Sequence, residues 1–333
     1  MAGIASPPSG RLELAPRPPF RLDLTVWALR RRARNQVDRW DGSYHRTLLV
    51  GERAVPLTVD QTGRPGDPTL RVQLGGPGPY EAAEVDDAAR QVTGLLGLDV
   101  DLHGFYEVAD RHAITRPLKD RFLGLRPPRF PTLFEAMVNA VANQQLSLES
   151  GLTMLNRLVD TCGSDPGGGR ASRTFPTPEA VLATPPRTIR GLGFSDRKTD
   201  YLLGIAHAIV TGDLDADELR ASTRDDAAAQ LLAVRGIGRW SAEYVLLRGL
   251  GRLDVYPGDD VGARNKLRRF MGLDHDPGYD EIAERLLPWQ PWAGMLYFHL
   301  LLDGLVERGD IERSQLSPTI ASGRRRRYPS SSS

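Results

Sequence analysis

Between Phe20 and Gly75 apolar residues alternate with polar ones in short runs: Leu22, Leu24 and Val26, then Thr47 to Val50, Val55 to Val59, and Leu70 to Leu74, with Gly and Pro between them. A period of two over such lengths predicts strands, and the spacing predicts a small, mostly antiparallel β domain. After Pro79 the period becomes helical. Ala82 to Leu96 is amphipathic and a second helix begins near Leu102. Further helices are predicted over Thr132 to Asn143, Leu148 to Val159, Pro178 to Leu182, Ser195 to Val210, Ser222 to Ala233, Arg239 to Leu250, Val261 to Met271, Tyr279 to Leu287 and Trp292 to Val306. Short connections predict one helical region of one or two lobes, with Cys162 to Pro176 as its clearest surface loop. The fold class is therefore α+β, with an N-terminal β-rich domain over 18–80 and a helical region over 81–310. The Pro-, Ser- and Gly-rich start, 1–17, and the end, 311–333, with Arg324 to Arg327 and closing serines, are expected to be disordered.

A chain of 333 residues is long enough for two or three domains with their own cores. Its one cysteine, Cys162, can neither close an internal disulfide nor hold an iron–sulfur cluster, which takes four thiolates. No run approaches the roughly 18 apolar residues of a membrane helix, and Met1 to Gly10 lacks the features of a secretory signal. A cytoplasmic protein without a membrane partner is expected. The net charge of +1 excludes a globally basic nucleic-acid binder, so any phosphate-binding surface must be local. Three of the 43 basic residues are lysines, Lys119, Lys198 and Lys266, which restricts chemistry that needs an amine. The six histidines show no metal-ligand spacing, and neither a metal nor another cofactor is expected.

The segment Leu231 to Arg248 reads as a helix, a Gly236-Ile-Gly238 turn and a second helix starting near Arg239. The glycines allow positive φ and leave the outer face of the hairpin bare. Free N–H groups at the start of the second helix, at its positive end, suit a phosphate without demanding a base sequence. Gly236, Gly238, Arg239 and Arg264 are therefore the candidate phosphate contacts. Taken alone, the GxG pattern equally describes an ordinary αα-hairpin. Shortly downstream, Asp254 to Ala263 carries two adjacent carboxylates, Asp259 and Asp260, ahead of a helix with Arg264, Lys266, Arg268 and Arg269.

The run GIGRWSAEYVLLRG followed by DVYPGDD resembles the helix-hairpin-helix DNA glycosylases of the HhH-GPD superfamily, and within them the DNA-3-methyladenine glycosylase II, or alkyladenine, type. Upstream, FEAMVNAVANQQLS from Phe134 to Ser147 is similar to the first helix of that subfamily and its Gln-Gln-x-Ser stretch. FPTPEA from Phe175, GLGFS from Gly191, and Lys198 leading into Ala206 and Ala208 are similar to its middle helices. The resemblance spans Pro128 to Val306, with weak similarity in the β domain.

The resemblance implies a two-lobed glycosylase region, hairpin 231–248 and catalytic loop 254–263, acting as a monomer on damaged double-stranded DNA. It picks Asp260, second of the pair, as the catalytic carboxylate and leaves Asp259 free to cap the next helix; for either residue pure N-capping is the alternative reading. Trp240, Tyr244 and Trp292 match aromatic positions of the base pocket, and Gln145, with Leu146 beside it, matches the wedge that fills the duplex. For Gln145 a helix-capping role is the alternative reading, and for the aromatics a core role. Where the family has Arg-Ser after the last tryptophan this chain has Ala293-Gly294, so that wall differs.

An alkylated purine with formal positive charge is a good leaving group, and one ionised carboxylate near the sugar supplies the remaining stabilisation. The implied activity is monofunctional hydrolysis of the N-glycosidic bond. Two alternatives are a bifunctional glycosylase/lyase and a non-catalytic hairpin module. The lyase branches carry a lysine where this chain has Trp240, and a binding module needs neither Asp260 nor pocket aromatics.

Overall fold

The computed structural model describes residues 10–167 and 172–316. The expectations for residues 1–9 and 317–333, Arg324 to Arg327 included, lie outside the described residues, while 311–316, expected in the disordered tail, are ordered: Ile311 is buried in a helical core and Arg313–Leu316 form a 3-10 turn.

The N-terminal unit contains β1 (Arg11–Leu14), α1 (Leu22–Arg30), β2 (Arg39–Trp40), β3 (Tyr44–Val50), β4 (Arg53–Gln61), β5 (Leu70–Leu74) and α2 (Ala82–Leu96). The strands form one antiparallel sheet in the order β1-β5-β4-β3-β2. Strict alternation in β5 buries Leu70, Val72 and Leu74 against Ala88, Val92 and Leu95 of α2.

Two expectations fail here. Arg11 to Leu14, assigned to the tail, is a strand, because the open edge of β5 supplies backbone partners from Gln73 to Leu70. Leu22 to Val26, expected as a strand, lies in α1. Leu22, Val26 and Leu29 face the sheet core while Leu24, Trp27 and Ala28 face a helical core on the other side. A helix covered on both sides carries two apolar stripes, and their overlap imitates alternation.

The helical region continues with α3 (His103–Arg111), α4 (Arg116–Arg121), α5 (Leu133–Asn143), α6 (Leu148–Cys162), α7 (Pro178–Ala183), α8 (Pro186–Gly191), α9 (Asp196–Thr211), α10 (Ala216–Ala221), α11 (Arg224–Ala233), α12 (Arg239–Arg248), α13 (Val261–Met271), α14 (Tyr279–Arg285) and α15 (Ala293–Glu307). The six-residue helices α4, α8 and α10 were not expected, being too short to show a period. Among the described residues no helix is long and apolar enough to cross a membrane.

The helices make two lobes. One core joins α5 to α12 through residues such as Met137, Leu158, Leu202 and Val245. The other joins α3, α4 and α13 to α15 through Phe105, Leu267 and Phe298. The second lobe is thus built from two separated stretches of chain, and the connection from α12 to α13 crosses between the lobes. A buried charge network fixes the sheet to the first lobe: Arg46 of β3 donates to Asp38 and to Glu135 of α5, and the Tyr44 hydroxyl donates to Asp38. Both carboxylates face one guanidinium and hold its charge.

Candidate active site

Asp260 occupies the crossing between lobes. The Pro257–Asp260 turn, closed by the Asp260 N–H on the Pro257 carbonyl at 3.1 Å, delivers Asp260 with extended dihedrals to the first position of α13. From there Oδ1 accepts the Ala263 N–H at 2.8 Å, and Oδ2 accepts the Trp240 indole N–H at 3.0 Å. One carboxylate therefore caps α13, faces the positive end of that helix and ties it to the first turn of α12. The expectation that Asp259 would cap is overturned, because the residue in the capping position is the second of the pair. Asp259 instead faces Arg239 at 3.7 Å.

Trp240 stacks on Tyr244 with ring centroids 5.7 Å apart. Tyr244 is only 2% exposed and its hydroxyl has no hydrogen-bond partner. Its ring lies near Phe130 and between the guanidinium groups of Arg31 and Arg248, each 5.8 Å from its centroid. The structure thus brings Asp260, Trp240 and Tyr244 together. The Trp292 indole lies against Gly104 of α3, and among the described residues no ring contact joins it to Trp240 or Tyr244. Trp289 is a core residue, its indole N–H donating to Thr115 Oγ1 at 2.9 Å.

Gln145 and Leu146 project from the turn between α5 and α6. Leu146 is 46% exposed, and Gln145 is exposed with φ 55°, a left-handed conformation rare outside glycine. Capping duties fall to its neighbours. Ser147 accepts the Ser150 N–H at the start of α6. The Lys198 ammonium donates to the carbonyls of Ala142 at 3.0 Å and Gln144 at 2.9 Å. Burial holds that ammonium below its usual pKa. Gln144 donates to the Gly236 carbonyl and to Ser241 Oγ, which fastens the projecting turn to the hairpin.

The hairpin glycines differ in what they do. Gly236 has φ 94°, and a Cβ there would lie 2.3 Å from the Tyr201 ring. Gly238 does not use the positive φ that glycine allows, having φ −94°; a Cβ there would meet nothing, so it leaves the start of α12 open. A cleft of about 640 Å³ runs between this turn and Gln145, with Arg197 and Lys198 on its wall. Arg239 lies 4.4 Å from the Tyr279 ring centroid, and Arg264 pairs with Asp276 at 3.1 Å.

Several residues at the site are given no role by the motifs read from the sequence. Glu243, inside the apolar run of α12, is pushed up to about 7 by burial, while its bond from the Tyr279 hydroxyl opposes the shift. Burial lifts Tyr297 to about 12, with the Asp260 charge adding to it. Burial lowers the Lys266 ammonium, opposed by Asp260. The charged residue inside an apolar helix was the only hint, and it pointed to Glu243 alone.

Against known proteins, the profile of the HhH-GPD superfamily of base excision DNA repair proteins matches residues 138–291. The chain is 30% identical over 223 residues to the DNA-3-methyladenine glycosylase of Bacillus subtilis, covering 67% of this chain and 74% of that protein. The 3-methyladenine DNA glycosylase of Archaeoglobus fulgidus shares the fold with a TM-score of 0.77 at 24% identity, over 90% of this chain and 98% of that one. A Schizosaccharomyces pombe 3-methyladenine DNA glycosylase solved in complex with abasic DNA has a TM-score of 0.53 at 26% identity, over 63% of this chain and 97% of that one. The profile includes the projecting turn, the hairpin and the capped carboxylate, and the similarity to the B. subtilis protein extends over most of both chains. On these grounds the chain belongs to the HhH-GPD superfamily of base excision DNA repair proteins.

Proposed function

We propose that the chain is a monofunctional DNA glycosylase that hydrolyses the N-glycosidic bond of alkylated purines in duplex DNA, a step of base excision repair. The observation that carries the reading is the Asp260 carboxylate, held between the lobes by one backbone and one indole N–H. Both oxygens accept an N–H, which fixes the carboxylate between α12 and α13. Its role is therefore electrostatic: it stabilises positive charge developing on the sugar and orients the incoming water. An alkylated purine departs as a neutral base, so the protein needs no acid to protonate it.

Duplex binding is assigned to the open start of α12 and the cleft beside Gln145. Gln145 is assigned as the wedge that occupies the space of the extruded nucleotide. Trp240, which has no amine, holds the position that a lyase fills with lysine.

The test is a panel of single-lesion duplexes incubated under single-turnover conditions. Free base should appear with an intact abasic strand that breaks only on alkali treatment, and borohydride should trap no covalent adduct. Spontaneous strand cleavage with a trapped adduct would instead make the protein a lyase, with Lys266 the first amine to replace.

A further inference from the structure

Arg31 is 7% exposed, yet its guanidinium makes no hydrogen bond or ion pair among the described residues. Its Nε is sealed from solvent without an acceptor. The Nε of Arg46, Arg126 and Arg248 is sealed in the same way, but those arginines and Arg30 place their terminal N–H groups on acceptors: Arg30 on the carbonyls of Ala33 and Trp40, Arg46 on Asp38 and Glu135, Arg126 on those of Arg17, Pro19 and Val100, and Arg248 on those of Ala28 and Leu29. A guanidinium cannot shed its charge, so a buried one without acceptors is strongly unfavourable unless a ligand supplies them.

Its position names that ligand's place. Arg31 ends α1 at φ 59°, and it and Gln145 are the two non-glycine residues with positive φ among the described residues. Strained backbone of this kind gathers at functional sites. The guanidinium lies 5.8 Å from the centroid of Tyr244, whose ring stacks on Trp240, the residue bonded to Asp260. Tyr297 feels the charges of both Asp260 and Arg31. The unused donors therefore lie one ring beyond the indole that holds the carboxylate.

We propose that Arg31 determines base specificity by donating to a carbonyl oxygen on the edge of the extruded base, so that the favoured substrates are damaged purines with an oxo group at C6 rather than an amino group. This rests on the glycosylase reading above. A guanidinium N–H matches a carbonyl oxygen, whereas an amino group would present donors to a donor.

DNA treated with dimethyl sulfate carries both 7-methylguanine, with a 6-oxo group, and 3-methyladenine, with a 6-amino group. Both are cationic, so the comparison holds the charge of the base constant. Arg31→Gly is the chosen variant, because positive φ suits glycine and the change relieves backbone strain. It should slow release of 7-methylguanine, and of hypoxanthine from a single-lesion duplex, by roughly 10- to 100-fold, the scale of losing a charged hydrogen bond. Release of 3-methyladenine should hold or rise. Arg31→Lys, which keeps the charge without the fork, should recover only part of the loss. Equal slowing of all three bases, or selective loss of 3-methyladenine, would overturn the proposal.

Calorimetric titration of the wild-type protein with free hypoxanthine and free adenine needs no variant. Hypoxanthine should bind at least about tenfold more tightly, and equal or reversed affinities would overturn the assignment. Failure of the wild-type protein to release any base would overturn the glycosylase reading, while this titration would still decide Arg31.

Discussion

Asp260→Asn separates the charge of the carboxylate from its structural duty, and the geometry sets the size of each effect. Both carboxylate oxygens are acceptors, at 2.8 Å from the Ala263 N–H and 3.0 Å from the Trp240 indole. Asparagine offers one oxygen. If that oxygen keeps the cap, the amide nitrogen meets the indole, donor against donor. The protein should therefore lose about 1.5–3 kcal/mol, the worth of a hydrogen bond to a charged group. Removing a principal electrostatic stabiliser should slow base release by about two to three orders of magnitude.

Trp240→Phe distinguishes the two losses, since it removes the donor and retains an aromatic ring. In that background Asp260→Asn should cost about 1 kcal/mol less stability than in wild type, while its effect on rate persists. Urea unfolding measures the first quantity and single-turnover release of 7-methylguanine the second. A near-wild-type rate for Asp260→Asn would refute the electrostatic role. So would a Trp240→Phe variant as slow as Asp260→Asn, because the shared bond would then matter rather than the charge. Asp259→Asn, which removes the ion pair with Arg239, should change the rate no more than a few-fold.

Gln145→Ala should leave stability within about 0.5 kcal/mol, since the side chain is exposed and unbonded, but weaken affinity for lesion duplex more than for a lesion in single-stranded DNA. Equal losses on both substrates would make Gln145 structural. Lys198→Met removes the donor that holds two carbonyls at the end of α5, so it should cost about 1–3 kcal/mol and reproduce the affinity loss of Gln145→Ala. Unchanged affinity would show that Gln144 alone holds the turn. Glu243 has a folded pKa raised to about 7, so its contribution to stability is full below its ordinary value of 4.5 and is lost as pH rises through 7. Between pH 5 and 8 the wild-type protein should lose about 2–3 kcal/mol relative to Glu243→Gln, read from urea unfolding at each pH, and parallel profiles would contradict the burial of that carboxyl.

Local order carried much of this protein in its sequence. The helical period located α2, α5, α6, α9 and α12 because each buries one stripe of side chains against one core. The motif around Gly236 and the Asp259-Asp260 pair were legible because a tight turn and a helix start restrict which residues fit. Tertiary contacts decided the rest. Leu22 to Arg30 is a helix because two cores cover it, and Arg11 to Leu14 is a strand because β5 offers an edge. Asp260 rather than Asp259 became the cap through a single-residue choice made by the Pro257 turn. The Trp292 indole packs against Gly104 of α3, a contact between residues far apart in the sequence. Arg31 is invisible in a chain with so many arginines, because an unmet hydrogen bond exists only once distant residues have closed around the side chain and excluded water.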